Sequence, residues 1–278
     1  MKFLAPAIAL LLAMALPAAA LELQGTLTQG GLVIGKVTPG SKVSLDGAPV
    51  AVDDVRGLFV IGFGRDHGPV ATLQVEGPDG GRETIPLAIA SREWSVSRID
   101  GLPPRKVTPA PEDLERIKRD AALIRAARAQ QSDRTDFLAG FIWPAKGRLS
   151  GHYGDQRILN GEPRAPHLGT DIAAPVGTPV HAAASGTVTL AERDLFYTGG
   201  TIAIDHGYGL STIYSHLSQV VVAVGDTVAQ GARIGAIGAT GRASGPHLDW
   251  RLNWFQERLD PELLVGPMPG TSASEVSE

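Results

Sequence analysis

Along residues 21–100, apolar positions recur every second residue in short runs separated by turn residues. Val43 and Leu45 alternate with polar neighbours, Asp46-Gly47 reads as a hairpin turn, and Val50 and Val52 resume the alternation. Leu58 to Phe63 reads as a buried strand. Pro78 to Gly81 marks another turn, after which Ile85, Leu87 and Ile89 return at period two. Short strands with frequent turns predict a small β-sandwich over 21–101.

The pattern then changes twice. Pro103, Pro104, Pro109 and Pro111 predict a stiff linker. Leu114, Ile117, Ala121 and Ile124 repeat at three and four, which predicts a helix from Pro111 to Gln131 with one apolar stripe. Its other faces carry Glu115, Arg116, Lys118, Arg119, Arg125 and Arg128, read as a solvated charged surface. Linker and helix together take 102–136. From 137 to 268 strand-like runs return, at Thr187–Leu190, Thr201–Ile204, Ser211–Tyr214 and Val220–Val224, divided by glycines and without helical periodicity. A second, Gly-rich β domain is expected there, followed by a disordered tail over 269–278. The fold class is all-β.

Composition narrows the chemistry. Lys and Arg number 25 against 29 Asp and Glu, a formal net charge of −4, which argues against a polyanion-coating protein; no nucleic-acid partner is expected. The chain has no cysteine, so disulfides, thiolate metal sites and thiol catalysis are excluded. Any metal must sit on His, Asp, Glu or backbone oxygen. Lys2, an apolar run from Phe3 to Leu16, and Pro17 to Ala20 read as a secretory signal peptide over 1–20. No later stretch has the length of a membrane span. The mature chain is expected to be exported to a periplasm, with no integral membrane segment.

Candidate chemistry gathers in the second half, which holds five of the seven histidines between 167 and 247. His167 and Asp171 are good zinc-ligand types. On a straight strand they would stand about 13 Å apart, so they meet only if the chain turns, which Gly169 permits. His247 and Asp249 share one face of a strand. His216 follows Tyr214 at another strand end. Three ligands with one open position, flanked by imidazoles that move protons, suit metal-assisted hydrolysis. Each histidine alone reads more readily as a structural residue than as a site residue. His152 is read as surface, His181 as packed, and His67 as solvated; Tyr153 and Asn160 are weak candidates for touching substrate. Gly62 to Gly64 is no phosphate loop, because no strand-to-helix context with a lysine follows.

Order and surroundings decide the matter. Trp143-Pro144, Gly154 with Arg157, His167 through Asp171, Gly177, Gly186, Asp205-His206-Gly207, Tyr214 with His216, Gly231 to Gly241, and Gly245-Pro246-His247 occur in sequence. Residues from about 141 to 264 thereby resemble the lysostaphin-type (LytM-type) zinc peptidases, metallopeptidase family M23, which cut peptide cross-links in bacterial cell walls. Residues 21–101 loosely resemble bacterial immunoglobulin-like domains. The peptidase resemblance implies a Gly-rich antiparallel β domain, Zn2+ as cofactor, His167 and Asp171 as metal ligands, His247 and His216 as catalytic residues, and a structural His206.

One position departs from the family. Its third ligand is the second histidine of a His-x-His pair, and here that position is Asp249. Asp249 remains a plausible third ligand. Replacing a neutral imidazole by a carboxylate takes one positive charge from the site, so a less acidic metal-bound water and tolerance of harder metals are expected. The resemblance implies an exported zinc metalloendopeptidase that hydrolyses peptidoglycan cross-links by metal-activated water. Its partners would be peptidoglycan stem peptides, and divisome or hydrolase proteins. The alternative is a noncatalytic regulator or activator of other wall hydrolases, favoured by Asp249; a third reading is wall binding through the N-terminal domain.

Overall fold

The computed structural model describes residues 21–269. The expected signal segment 1–20 and residues 270–278 of the expected tail lie outside the described residues.

Seven strands come first: β1 (Glu22–Gly25), β2 (Leu32–Lys36), β3 (Lys42–Leu45), β4 (Ala48–Val50), β5 (Leu58–Gly62), β6 (Val70–Glu76) and β7 (Arg82–Ala88). They form two antiparallel sheets, β1-β2-β5 and β4-β3-β6-β7. Asp46 and Gly47 both take positive φ, 49° and 80°, the geometry of a two-residue hairpin turn whose twist matches its strands. Period-two burial in β6 sends Ala71, Leu73 and Val75 inward, where they meet Phe59, Ile61 and Leu87 between the sheets. The other face of β2 and β5 is also apolar. Leu32, Leu58 and Val60 pack against Leu210, Leu252 and Leu259 of the second half, so the two halves share a core cluster.

Strand β8 (Val96–Ile99) leaves the sandwich. The chain then forms α1 (Pro104–Val107), a 3₁₀ turn at Pro111–Asp113 and α2 (Leu114–Arg128). The helix is shorter than its periodicity suggests, and its buried face is rotated. Leu114 is 47% exposed and Ala121 is exposed, while Asp120, Ala127 and Arg128 are buried. Tertiary contact decides this: Ile124 and Ala127 meet Leu190, Leu195 and Ala203, and Asp120 accepts a hydrogen bond from the Phe196 amide at 2.7 Å.

The second half adds β9 (Arg148–Gly151), β10 (Gln156–Leu159), β11 (Glu162–Pro163), β12 (Thr170–Ala173), β13 (Pro179–His181), β14 (Gly186–Leu195), β15 (Gly199–Gly207), β16 (Leu210–Val220), β17 (Thr227–Val228), β18 (Arg233–Ile237), β19 (His247–Trp254) and β20 (Glu257–Leu259). Ten of these form one antiparallel sheet with the path β17-β14-β15-β16-β19-β12-β9. Ile172, Ile202, Ile204, Tyr214, Leu248 and Trp250 are among its buried core. β10 stands apart, paired in parallel with β8 and antiparallel with β11. The apolar run Val220–Val224 does not continue as a strand: β16 ends at Val220, and Val221 and Val224 are 54% and 65% exposed. The chain turns there, at Gly225 with φ 94° and with the Asp226 carboxylate accepting from the Ala223 amide. No helix among the described residues is long and apolar enough to cross a membrane.

Candidate metal centre

Strand register builds the site. β12 and β19 set Asp171 directly opposite Asp249, and β16 sets Ser215 opposite Asp249 on the other side. His167 sits just before β12. Its amide donates to Asp155 O at 2.8 Å and its carbonyl accepts from the Gly154 amide at 2.7 Å, which fixes the loop. The chain then bends at Gly169 close against β19. A Cβ at Gly169 would lie 2.6 Å from both Asp249 Oδ1 and Arg251 Cγ, so only glycine fits there. The bend brings His167 Nε2 to 2.9 Å from Asp171 Oδ1. Donor atoms of His167, Asp171 and Asp249 all lie within 4.8 Å of one another.

These atoms fit a metal. His167 is 2% exposed and Asp171 7%, yet apart from the close approach of Nε2 and Oδ1 to each other, neither the ring nitrogens of His167 nor Asp171 Oδ1 has a hydrogen-bond partner. Buried polar atoms without partners are rare in folded proteins. Here they converge, and an imidazole with carboxylate oxygens is a zinc donor set.

Two more imidazoles form the adjoining wall. The rings of His216 and His247 lie 4.7 Å apart between centroids. His216 holds a left-handed backbone, φ 66°, a strained position for a side-chain-bearing residue and one often associated with a functional site. Its Nδ1–H donates to Thr240 O at 2.8 Å, and His247 Nδ1–H donates to Gly245 O at 2.8 Å. A carbonyl only accepts, so Nδ1 is protonated in each ring, and in the neutral His216 ring Nε2 carries the lone pair. His247 Nε2 lies 3.8 Å from Asp171 Oδ1. Burial first, and then the His247 ring, press the pKa of His216 down to about 4, which keeps it neutral at pH 7.

The electrostatics revise the expectation drawn from Asp249. Arg251 clasps that carboxylate: Nε lies 2.9 Å from Oδ1 and 3.1 Å from Oδ2, and Nη2 lies 2.5 Å from Oδ2. Burial raises the Asp249 pKa, but Arg251 outweighs it and holds the carboxyl well below the usual range. Arg157 Nη2 donates to Asp171 Oδ2 at 3.1 Å. Burial opposes ionisation of Asp171 too, and His167 and then Arg157 overcome it. Each carboxylate therefore carries its own guanidinium. Asp249 with Arg251 is a neutral unit, like the imidazole it replaces, and the predicted loss of positive charge does not arise. Sequence reasoning missed Arg251 although a signal existed: two residues along a strand return to the same face. Arg157, which enters the sequence reading only as part of a motif, gave no such spacing signal: it lies on β10, outside the sheet that holds Asp171, and only the tertiary fold brings the two together.

Other candidates lie elsewhere. His152 faces Glu262 at 3.1 Å, which raises its pKa. His206 is fully buried between Ser185 O and Thr212 Oγ1. His181 is half-buried in β13, and His67 lies 3.4 Å from Asp46. Tyr153 is buried and donates to Arg258 O at 2.7 Å. Asn160 binds both the amide and the carbonyl of Leu102.

That last contact belongs to a strap. Ile99 and Leu102 line one side of a cavity of about 30 Å³ shared with Asp171, His216 and His247, room on the order of one water. The segment is fastened further where Lys106 Nζ donates to Phe196 O at 2.5 Å and Arg164 donates to Val107 O at 3.3 Å.

A family model described as Peptidase family M23 matches residues 165–261. The crystal structure of a putative M23 peptidase from Pseudomonas aeruginosa matches with a TM-score of 0.67 and 30% identity, covering 86% of this chain and 95% of that one. The chain belongs to peptidase family M23. This M23 chain is 42% identical over 109 residues to the peptidoglycan DD-endopeptidase ShyA of Vibrio cholerae, covering 39% of this chain and 25% of that protein. It is 41% identical over 103 residues to the DD-carboxypeptidase/endopeptidase Mpg of Neisseria meningitidis, covering 37% and 24%. The chain thus spans about a quarter of the length of these curated relatives.

Proposed function

We propose that this M23 chain is an exported zinc metalloendopeptidase that hydrolyses peptide cross-links of bacterial peptidoglycan. The observation that carries the reading is the convergence of unpaired, buried donor atoms on His167 and Asp171 with the His216–His247 wall. The names of the M23 relatives supply the substrate class. His167, Asp171 and Asp249 would hold the zinc. When bound, zinc polarises the scissile carbonyl and acidifies the attacking water. Arg157 and Arg251 orient the two carboxylates and balance their charge. His216, whose neutral ring leaves Nε2 as an acceptor, takes the proton released in the attack beside His247 and returns it to the leaving amine. A peptide reaches these atoms once the strap over 99–107 lifts.

The engagement of Asp249 by Arg251 favours a second reading, a regulator that binds no metal. Metal content and muropeptide digestion separate the two. Roughly one zinc per chain, with cleavage lost on chelation and in Asp171→Ala, is the expected result. A metal-free chain that cuts nothing, yet raises the rate of a second wall hydrolase, would establish the regulator.

A further inference from the structure

Four arginines act on this corner of the molecule, and three have a carboxylate. Arg157 pairs with Asp171, Arg251 with Asp249, and Arg164 lies 3.8 Å from Glu162. Arg242 has none: among the described residues no carboxylate oxygen comes within 4.0 Å of its side chain. Yet Arg242 lines the cavity beside Asp171, His216 and His247.

Its geometry is prepared for a planar anion. The Arg242 amide donates to Tyr197 O at 2.8 Å, which pins the backbone. Arg242 Cζ lies over the Tyr197 ring, 4.5 Å from its centroid, a cation–π contact that engages none of its N–H groups in a hydrogen bond. One side-chain polar contact is present, a long one of 3.4 Å from Nη1 to Lys106 O on the strap. A guanidinium has five N–H donors, so most of this one's capacity is unused. Burial first, and the like charges of Arg157, Arg251 and Arg164, push its pKa below the usual arginine value. A half-buried cation among cations, with no counter-ion, is a site for an anion.

We propose that Arg242 is the carboxylate-recognition residue of the cleft, so that the substrate is a peptide carrying a free carboxylate close to the scissile bond. This rests on the hydrolase reading of the same cavity. The fork of Arg242 grips the carboxylate through two parallel N–H···O bonds. In the strapped form the Lys106 carbonyl holds the same guanidinium with its partial negative charge, and the substrate carboxylate displaces it.

The test uses two synthetic cross-linked peptides identical except at one side-chain carboxyl, free in one and amidated in the other. The full chain is expected to prefer the free acid, chiefly through KM. Arg242→Gln is expected to lose roughly 10- to 100-fold in kcat/KM on the free acid, at least ten times its loss on the amide, as befits a charge-assisted hydrogen bond. Arg242→Lys should recover part of the preference. Equal losses on both substrates, or a parent chain without preference, would overturn the proposal. If the parent chain cleaves neither peptide, the hydrolase reading fails separately. The carboxylate site is then read by calorimetry with the two corresponding uncross-linked peptides. Tighter binding of the free acid, abolished in Arg242→Gln, upholds it; equal binding or none overturns it.

Discussion

The two halves of the molecule bury different things. Between the sheets of the N-terminal sandwich the fully buried side chains are apolar, with Phe59, Ile61, Phe63 and Leu73 at 0% exposure. Among its described residues, buried polar side chains are confined to Thr28 and Ser41. The ten-stranded sheet buries His167, Asp171, His206, His216, Asp249 and Asn253, each at 7% exposure or less. Burying a polar group costs free energy unless it is paired, and a buried charge costs more. The sandwich avoids that cost. The large sheet accepts it and meets it locally, with Arg157 on Asp171, Arg251 on Asp249 and backbone carbonyls on the two histidine rings. His167 is where pairing is left incomplete, which is what a ligand site requires and a purely structural core does not.

Three substitutions break or sharpen this contrast. His167→Leu has the largest expected effect. It should abolish zinc binding and lower cleavage by roughly a thousand-fold, a loss of several kcal/mol of charge stabilisation. The metal-free variant should melt close to the parent, because the imidazole it replaces has Asp171 Oδ1 as its one polar neighbour and Asp171 keeps Arg157. Metal analysis, muropeptide digestion and a thermal melt of the metal-free chain check this. A lower melting temperature would mean that His167 supports the fold.

Phe59→Ala tests the other half. Truncating a fully buried ring should cost about 3 kcal/mol of stability, read from the denaturant midpoint. Zinc content below the transition should stay at the parent level. Loss of metal together with stability would show that the two halves depend on each other more closely than their core chemistry suggests.

The smallest effect tests the charge balance. Asp249→His supplies the family's usual ligand but leaves the half-buried Arg251 guanidinium without its carboxylate. Zinc affinity, measured by chelator competition, should fall roughly ten-fold as an unpaired cation faces the ion. Asp249→His combined with Arg251→Leu should recover it. A single variant that binds as tightly as the double one would mean that Arg251 is no part of the centre.

Much of this architecture was legible in the chain. Period-two patterning located β3 and β7, a continuous apolar run located β5, and Asp46-Gly47 announced its hairpin, because those signals are local. His167, Asp171, His216, His247 and Asp249 were picked out by residue type, spacing and resemblance, and the strands bring them together as Gly169 allowed. Non-local features escaped. Leu114 and Ala121 lie outside the buried face of α2 because the helix docks where the large sheet offers a surface. Val221 and Val224 look like strand residues, yet the chain turns there. Nothing near Ile99 or Leu102 in sequence indicates that they line a site formed more than sixty residues later.

The sequence by itself determined the β class, the family and which candidate ligand-type side chains the chain carries, because periodicity, turn chemistry and motif order are written in adjacent residues. Only the tertiary structure decided the charge of the carboxylate pairs, the tautomer of His216, the strap beside the cleft and the lack of a carboxylate partner for Arg242. Each depends on groups far apart in the chain becoming near neighbours in space, where burial strengthens every charge and hydrogen bond between them.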